Sequence, residues 1–106
     1  MKTVLITGDA SIGTNAFSGC ADLTSIHILG NVTSIGNNAF RFCTGLTDIT
    51  ISKSVALIDS SAFDKCTSLT DVYYTGTEQE WGAMVVQYGN DALSSATIHY
   101  DFVPEE

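Results

Sequence analysis

One motif recurs three times at a fixed spacing of 23 residues. Ile12, Ala16, Phe17, Cys20, Leu23, Ile26 and Ile28 return as Ile35, Ala39, Phe40, Cys43, Leu46, Ile49 and Ile51. They return again as Ile58, Ala62, Phe63, Cys66, Leu69, Val72 and Tyr74, with no insertion between copies. A constant period of this length confines the chain to a stack of coils, in which each unit buries its apolar side only against its neighbours. One unit cannot offset its own chain entropy, so the copies must fold together and need closing units at both ends.

Two periodicities alternate within each copy. Leu23–Ile28, Leu46–Ile51 and Leu69–Tyr74 alternate apolar and polar residues and are rich in β-branched and aromatic side chains, which predicts half-buried strands. Upstream, Ala39, Phe40 and Cys43 follow three- and four-residue spacing, which predicts one short helical turn. The expected fold class is an α/β repeat: a short solenoid with a parallel β-sheet on one face and short helical turns on the other.

The flanks break the period. Lys2–Thr7 reads as an opening strand one position out of register, so a slip or bulge is expected there. Thr77 is an N-cap candidate ahead of Glu78 and Glu80. A helix is expected from there to about Val86, with Trp81, Met84, Val85 and Tyr88 on one face and Trp81 sealing the last repeat. Gly89-Asn90-Asp91 breaks that helix. Ala96–Tyr100 reads as a final strand with Ile98 and Tyr100 inward. The chain is thus expected to be a single domain over 1–106. It divides into an N-terminal cap strand (1–11), three repeats (12–76), a C-terminal cap (77–101) and a tail (102–106) that is expected to fray from Val103.

Composition limits the function classes. The net charge is −8, from 4 Lys+Arg against 12 Asp+Glu, which disfavours nucleic acid and anionic membrane surfaces. No apolar run reaches the roughly 20 residues of a membrane span. Only 15% of residues are charged, so Ser, Thr and Asn supply much of the polar surface, as in secreted proteins. The opening segment is too short for a signal peptide, which fits either a cytosolic protein or a fragment of a longer secreted or cell-surface protein, and the fragment is the favoured reading. Cys20, Cys43 and Cys66 occupy one position of the repeat. An odd number, without Cys-x-x-Cys spacing and without a His in the same column, points to packed core thiols rather than a disulfide, metal or redox site.

The run Ile35-Gly36-Asn37-Asn38-Ala39-Phe40-Arg41-Phe42-Cys43-Thr44-Gly45-Leu46-Thr47-Asp48-Ile49 resembles the BspA-type leucine-rich repeat. Tyr73–Trp81 followed by Ala96–Tyr100 is similar to the closing unit found after such repeats. Asp59 stands where the repeat has Gly, a substitution that a turn or left-handed backbone tolerates. The resemblance implies a leucine-rich-repeat solenoid of bacterial surface or secreted proteins, associated with adhesion to host or other cell-surface proteins. It implies no catalytic residue, metal or cofactor.

Residues between the buried strand positions form outward columns: Ser25, Asp48 and Asp71; His27, Thr50 and Tyr73; Leu29, Ser52 and Thr75. Thr97 and His99 are candidates to extend them. The candidate ligand-binding residues on this face are His27, Asp48, Thr50, Asp71 and Tyr73, with the rings as anchors for a protein partner. Asp48 and Asp71 are expected about 5 Å apart on adjacent strands, too few oxygens for Ca²⁺, and read as solvated acids. His27 and His99 belong to no nucleophile or metal motif, and no phosphate loop is present. Asn31-Val32-Thr33 is a glycosylation sequon only in a eukaryotic secretory host. The expected function is a non-catalytic protein-interaction or adhesion module. The alternatives are a spacer or terminal cap of a longer solenoid, or a glycan-binding module, which would need more clustered aromatics than Tyr73 provides.

Overall fold

The computed structural model describes residues 2–8 and 11–103; Met1, Asp9, Ala10 and the end of the expected tail (104–106) lie outside the described residues. The main sheet is parallel and has five strands: β1 (Lys2–Ile6), β2 (Leu23–Ile28), β4 (Asp48–Ile51), β6 (Asp71–Tyr74) and β8 (Thr97–His99), side by side in that order. From β2 to β6 the register repeats the 23-residue period: Ile26 pairs with Ile49 and Ile49 with Val72. β1 carries an irregularity between Lys2 and Thr3, so that Val4 pairs with Ile26. This is the slip that the misplaced apolar residues indicate.

A second parallel sheet, unmarked in the sequence pattern, crosses the coils behind the first. It consists of β3 (Ser34–Ile35), β5 (Leu57–Ile58) and β7 (Val85–Val86), with an isolated bridge from Ile12 to Ile35. Its strands are too short for period-2 alternation to register. The expected helix to Val86 is corrected accordingly. α1 covers only Glu78–Ala83, and Val85 and Val86 pair with Leu57 and Ile58. Val85 is 51% and Tyr88 81% exposed, so neither belongs to a buried helical face. The start of α1 follows the sequence signal: Thr77 accepts a hydrogen bond from the Glu80 N–H, and the Glu80 carboxylate accepts one from the Thr77 N–H. That backbone donor holds the Glu80 carboxyl below its ordinary range. Trp81 stands half-buried with its ring edge-on to Tyr74, 5.0 Å between centroids. A second helix, α2 (Asp91–Ser95), follows where the sequence indicated only a break.

The short helical turns are, in detail, consecutive hydrogen-bonded turns. The Ala39, Arg41 and Cys43 N–H groups donate three residues back, to Gly36, Asn38 and Phe40. The intervening Asn38, Phe40 and Phe42 N–H groups donate instead to Ser60, Ala62 and Asp64 of the next coil. Left-handed backbone at Asn38 and Phe42 (φ 59° and 63°), matched by Ser61 and Lys65 (58° and 64°), turns alternate donors outward and forbids a continuous helix. Consecutive turns and a helical turn both bring residues three apart to one side, so the spacing of Ala39, Phe40 and Cys43 fits either. Gly36 is needed for closeness rather than for left-handed backbone: a Cβ there would lie 2.7 Å from the Ile12 carbonyl oxygen.

The core lies between the two sheets and the turn layer. Phe17, Phe40 and Phe63 stack nearly parallel with centroids 5.3 and 5.2 Å apart. Phe40, Phe63 and the Ile rows are fully buried, each contributing roughly 1.5–3 kcal/mol. The thiols of Cys43 and Cys66 donate to the Phe17 and Phe40 carbonyls, at 3.3 and 3.1 Å, and so tie each coil to the one before it. The neighbouring Cys43 thiol and burial push the Cys66 thiol far above its ordinary range.

At the C-terminal end the buried Asn90 replaces part of a coil. Its Oδ1 accepts the Phe63 N–H at 2.9 Å, and its Nδ2 donates to the Asp59 and Gln87 carbonyls, both at 3.0 Å. The sequence showed Asn90 only as part of a helix break.

Asn90→Ala should leave the Phe63 N–H and the Gln87 carbonyl without partners, the Asp59 carbonyl keeping the Ala62 N–H, and cost roughly 1–3 kcal/mol. Urea unfolding would show a lower midpoint at unchanged slope; an unaltered midpoint refutes the capping role. A thiol reagent should label half-buried Cys20 in the native protein, with Cys43 and Cys66 labelled only on unfolding. Mass spectrometry of timed aliquots resolves the three sites.

Candidate functional site

The outer face of the main sheet is built from the strand residues that alternate with the core. In one row Ser25, Asp48, Asp71 and Thr97 lie opposite one another; in the next, Leu5, His27, Thr50, Tyr73 and His99 do. The face therefore brings together all five candidate residues, His27, Asp48, Thr50, Asp71 and Tyr73.

The two carboxylates stand directly opposite each other on β4 and β6, where like charges repel. Hydroxyl donors hold each of them. Asp48 accepts from Ser25 at 2.8 Å and from Thr47 at 3.2 Å. Asp71 accepts from Thr70 at 2.9 Å and meets His99 Nε2 at 2.9 Å. The His99 contact first, and the Thr70 hydroxyl second, hold the Asp71 carboxyl below the usual carboxylate range. Among the described residues no three His, Cys, Asp or Glu side chains converge as metal ligands.

The row of rings departs from the sequence reading at Thr50. This side chain is only 1% exposed, with its Oγ1 3.0 Å from His27 Nδ1, so a partner could not touch it. Ser52, expected outward in the next column, is also buried and reaches toward the Gly30 carbonyl. His27 and Tyr73, both half-buried, flank the covered Thr50.

Two further residues join the site. The His99 ring stacks on Tyr73, 4.7 Å between centroids and 14° between planes. Phe102 tilts against Tyr73 at 5.0 Å, and its N–H donates to the Tyr74 carbonyl at 2.9 Å. Phe102, assigned to the tail by the sequence, is thus fastened to the sheet. His99 was legible from the alternation of the last strand. Phe102 was not, because it follows a chain reversal at Asp101, whose φ is 55°. At the opposite edge Leu5 is 63% exposed. The face offers rings and carboxylates for contact.

A family model for BspA type leucine-rich repeat regions, with 6 copies, matches residues 3–102. No curated protein and no solved structure matches the chain.

The depressed Asp71 carboxyl fixes a sign. Its contribution to stability should be fully present above the unfolded carboxylate value of about 3.9 and fade as pH falls through the lower folded value. An NMR titration of the Asp71 carboxyl should show a midpoint below that value, moved upward by His99→Ala. A midpoint unmoved by the substitution would mean that His99 does not hold the carboxylate.

Proposed function

The chain belongs to the BspA type leucine-rich-repeat family, and on that premise we propose that it is a non-catalytic protein-interaction module acting in adhesion for a bacterial surface or secreted protein. Leucine-rich-repeat chains of this family typically sit in surface or secreted bacterial proteins and work through protein contacts. No helix among the described residues is long and apolar enough to cross a membrane.

The observation that carries this reading is the ordered outer face. Its carboxylates and its Tyr73–His99–Phe102 ring cluster are already fixed by hydrogen bonds and stacking. A surface whose side chains are held before contact loses little rotamer entropy on binding. Aromatic groups at the centre of such a patch are the usual anchors of protein interfaces. Tyr73 is packed by His99 and Phe102 rather than standing open as a platform for a sugar ring, which favours a protein partner over a glycan.

The test is binding of the immobilised chain to a panel of host extracellular-matrix and cell-surface proteins. Tyr73→Ala and His27→Ala should each weaken capture of any partner found by about tenfold or more. Circular dichroism should show the fold unaltered. Full affinity in both variants would remove this face as the binding site.

A further inference from the structure

The turn layer holds a side chain that the fold does not require. In the first turn run the second left-handed residue is Gly19, with φ 79°. One and two coils on, the same position is held by Phe42 and Lys65, still left-handed at 63° and 64°. Such backbone crowds the Cβ of a bulky residue, whereas Gly adopts it freely. The turn forms with Gly19, so it does not need the Phe42 ring. Packing does not account for the ring either: Phe42 lies outside the core and is 45% exposed, while Phe40 two residues earlier is fully buried. A strained backbone that also leaves an aromatic ring in water points to an outward role for that ring.

The surroundings of the ring are cationic. The Arg41 guanidinium carbon stands 4.8 Å from the Phe42 ring centroid. Its Nε donates to Asp64 at 3.2 Å, which fixes the group, and its Nη atoms have no hydrogen-bond partner among the described residues. The Phe42 N–H donates to the Asp64 carbonyl at 2.9 Å, so Lys65 is the neighbour of Phe42 on the next coil. Lys65 is exposed and forms no ion pair among the described residues. Arg41 and Lys65 are two of only 4 Lys and Arg residues in a chain of net charge −8. Asp64 offsets one of them, so a locally positive spot remains on a negative molecule. Physiological salt confines such interactions to roughly 8 Å, and at contact the local cations outweigh the distant acids.

We propose that Arg41, Phe42 and Lys65 form a second interaction surface, on the turn layer, for an acidic polypeptide segment that carries an apolar side chain beside its carboxylates. The Nη edge of Arg41 takes one carboxylate in a two-pronged contact, and Lys65 takes another as a point charge. The apolar side chain of the segment covers the exposed part of the Phe42 ring. An extended polyanion would reach past this spot and meet the acids of the surrounding surface. The core separates the turn layer from the outer sheet face, so this surface stands independently of the binding assigned to that face.

The test is fluorescence anisotropy of a labelled peptide of repeated Glu-Glu-Leu-Leu units, titrated with the full chain. Phe42→Gly and Lys65→Glu should each weaken binding by about tenfold or more, and Tyr73→Ala on the sheet face should leave it unchanged. Phe42→Gly should also keep Tm within about 4 °C of the unaltered chain or raise it, because the strain on the left-handed backbone is relieved. Absence of binding, full affinity in either turn-layer variant, or loss of binding in Tyr73→Ala overturns the proposal. So does a larger fall in Tm for Phe42→Gly, since the ring would then be a packing element. Binding of heparin in place of the peptide overturns it as well, by assigning the surface to a polysaccharide.

Discussion

In the first two turn runs every second backbone N–H finds its acceptor in the neighbouring coil, and the rest of the structure depends on that exchange. A helix satisfies its own backbone and can exist alone; these turns cannot. Left-handed residues such as Asn38 and Phe42 hold alternate donors outward, and only a coil in strict register supplies the carbonyls. The two parallel sheets impose the same register from two other sides. The period is fixed because backbone, ring stack and thiol contacts must all advance by one coil together. A residue inserted within a turn run would break all three at once.

The same dependence explains which parts of the structure were legible in the sequence. Residues that recur from coil to coil announce themselves: the Ile rows, the Phe stack and the Cys column could be assigned inward, and the strands and their register followed. Residues that act once do not. Asn90 closes the stack by imitating a backbone amide with its side chain, and a lone Asn beside Gly89 carries the same signal as any turn. β7 has the sequence signature of a helix end because Val85 and Val86 lie one turn beyond Trp81, and nothing local shows that Leu57 and Ile58 await a partner. Side-chain spacing does not record the direction of an N–H, so the turn runs have the same sequence signature as helical turns.

On the outer face, the sequence located the columns but not their relief. Alternation identifies His27, Thr50 and Tyr73 as outward. It does not show that a small residue between two rings is covered by one of them, nor that the chain returns after β8 to place Phe102 on Tyr73. The accessible chemistry is consequently narrower at the centre and richer toward β8 than the columns alone suggest. The carboxylate pair is the face's electrostatic signature, and it stays oriented because Thr47 and Thr70, each one residue earlier, supply the same hydroxyl at the same place.

The position of α1 has a consequence for how such a molecule can diversify. The helix leaves the stack after β6 and the chain rejoins it at β7, which still pairs with β5 in parallel. The corner between the main sheet and the second sheet thus accommodates extra chain without disturbing the coils on either side. It is a natural grafting point: a segment of foreign sequence and length could be carried there as a loop, and lineages of this architecture could acquire new surface at that corner while the period elsewhere stays unchanged.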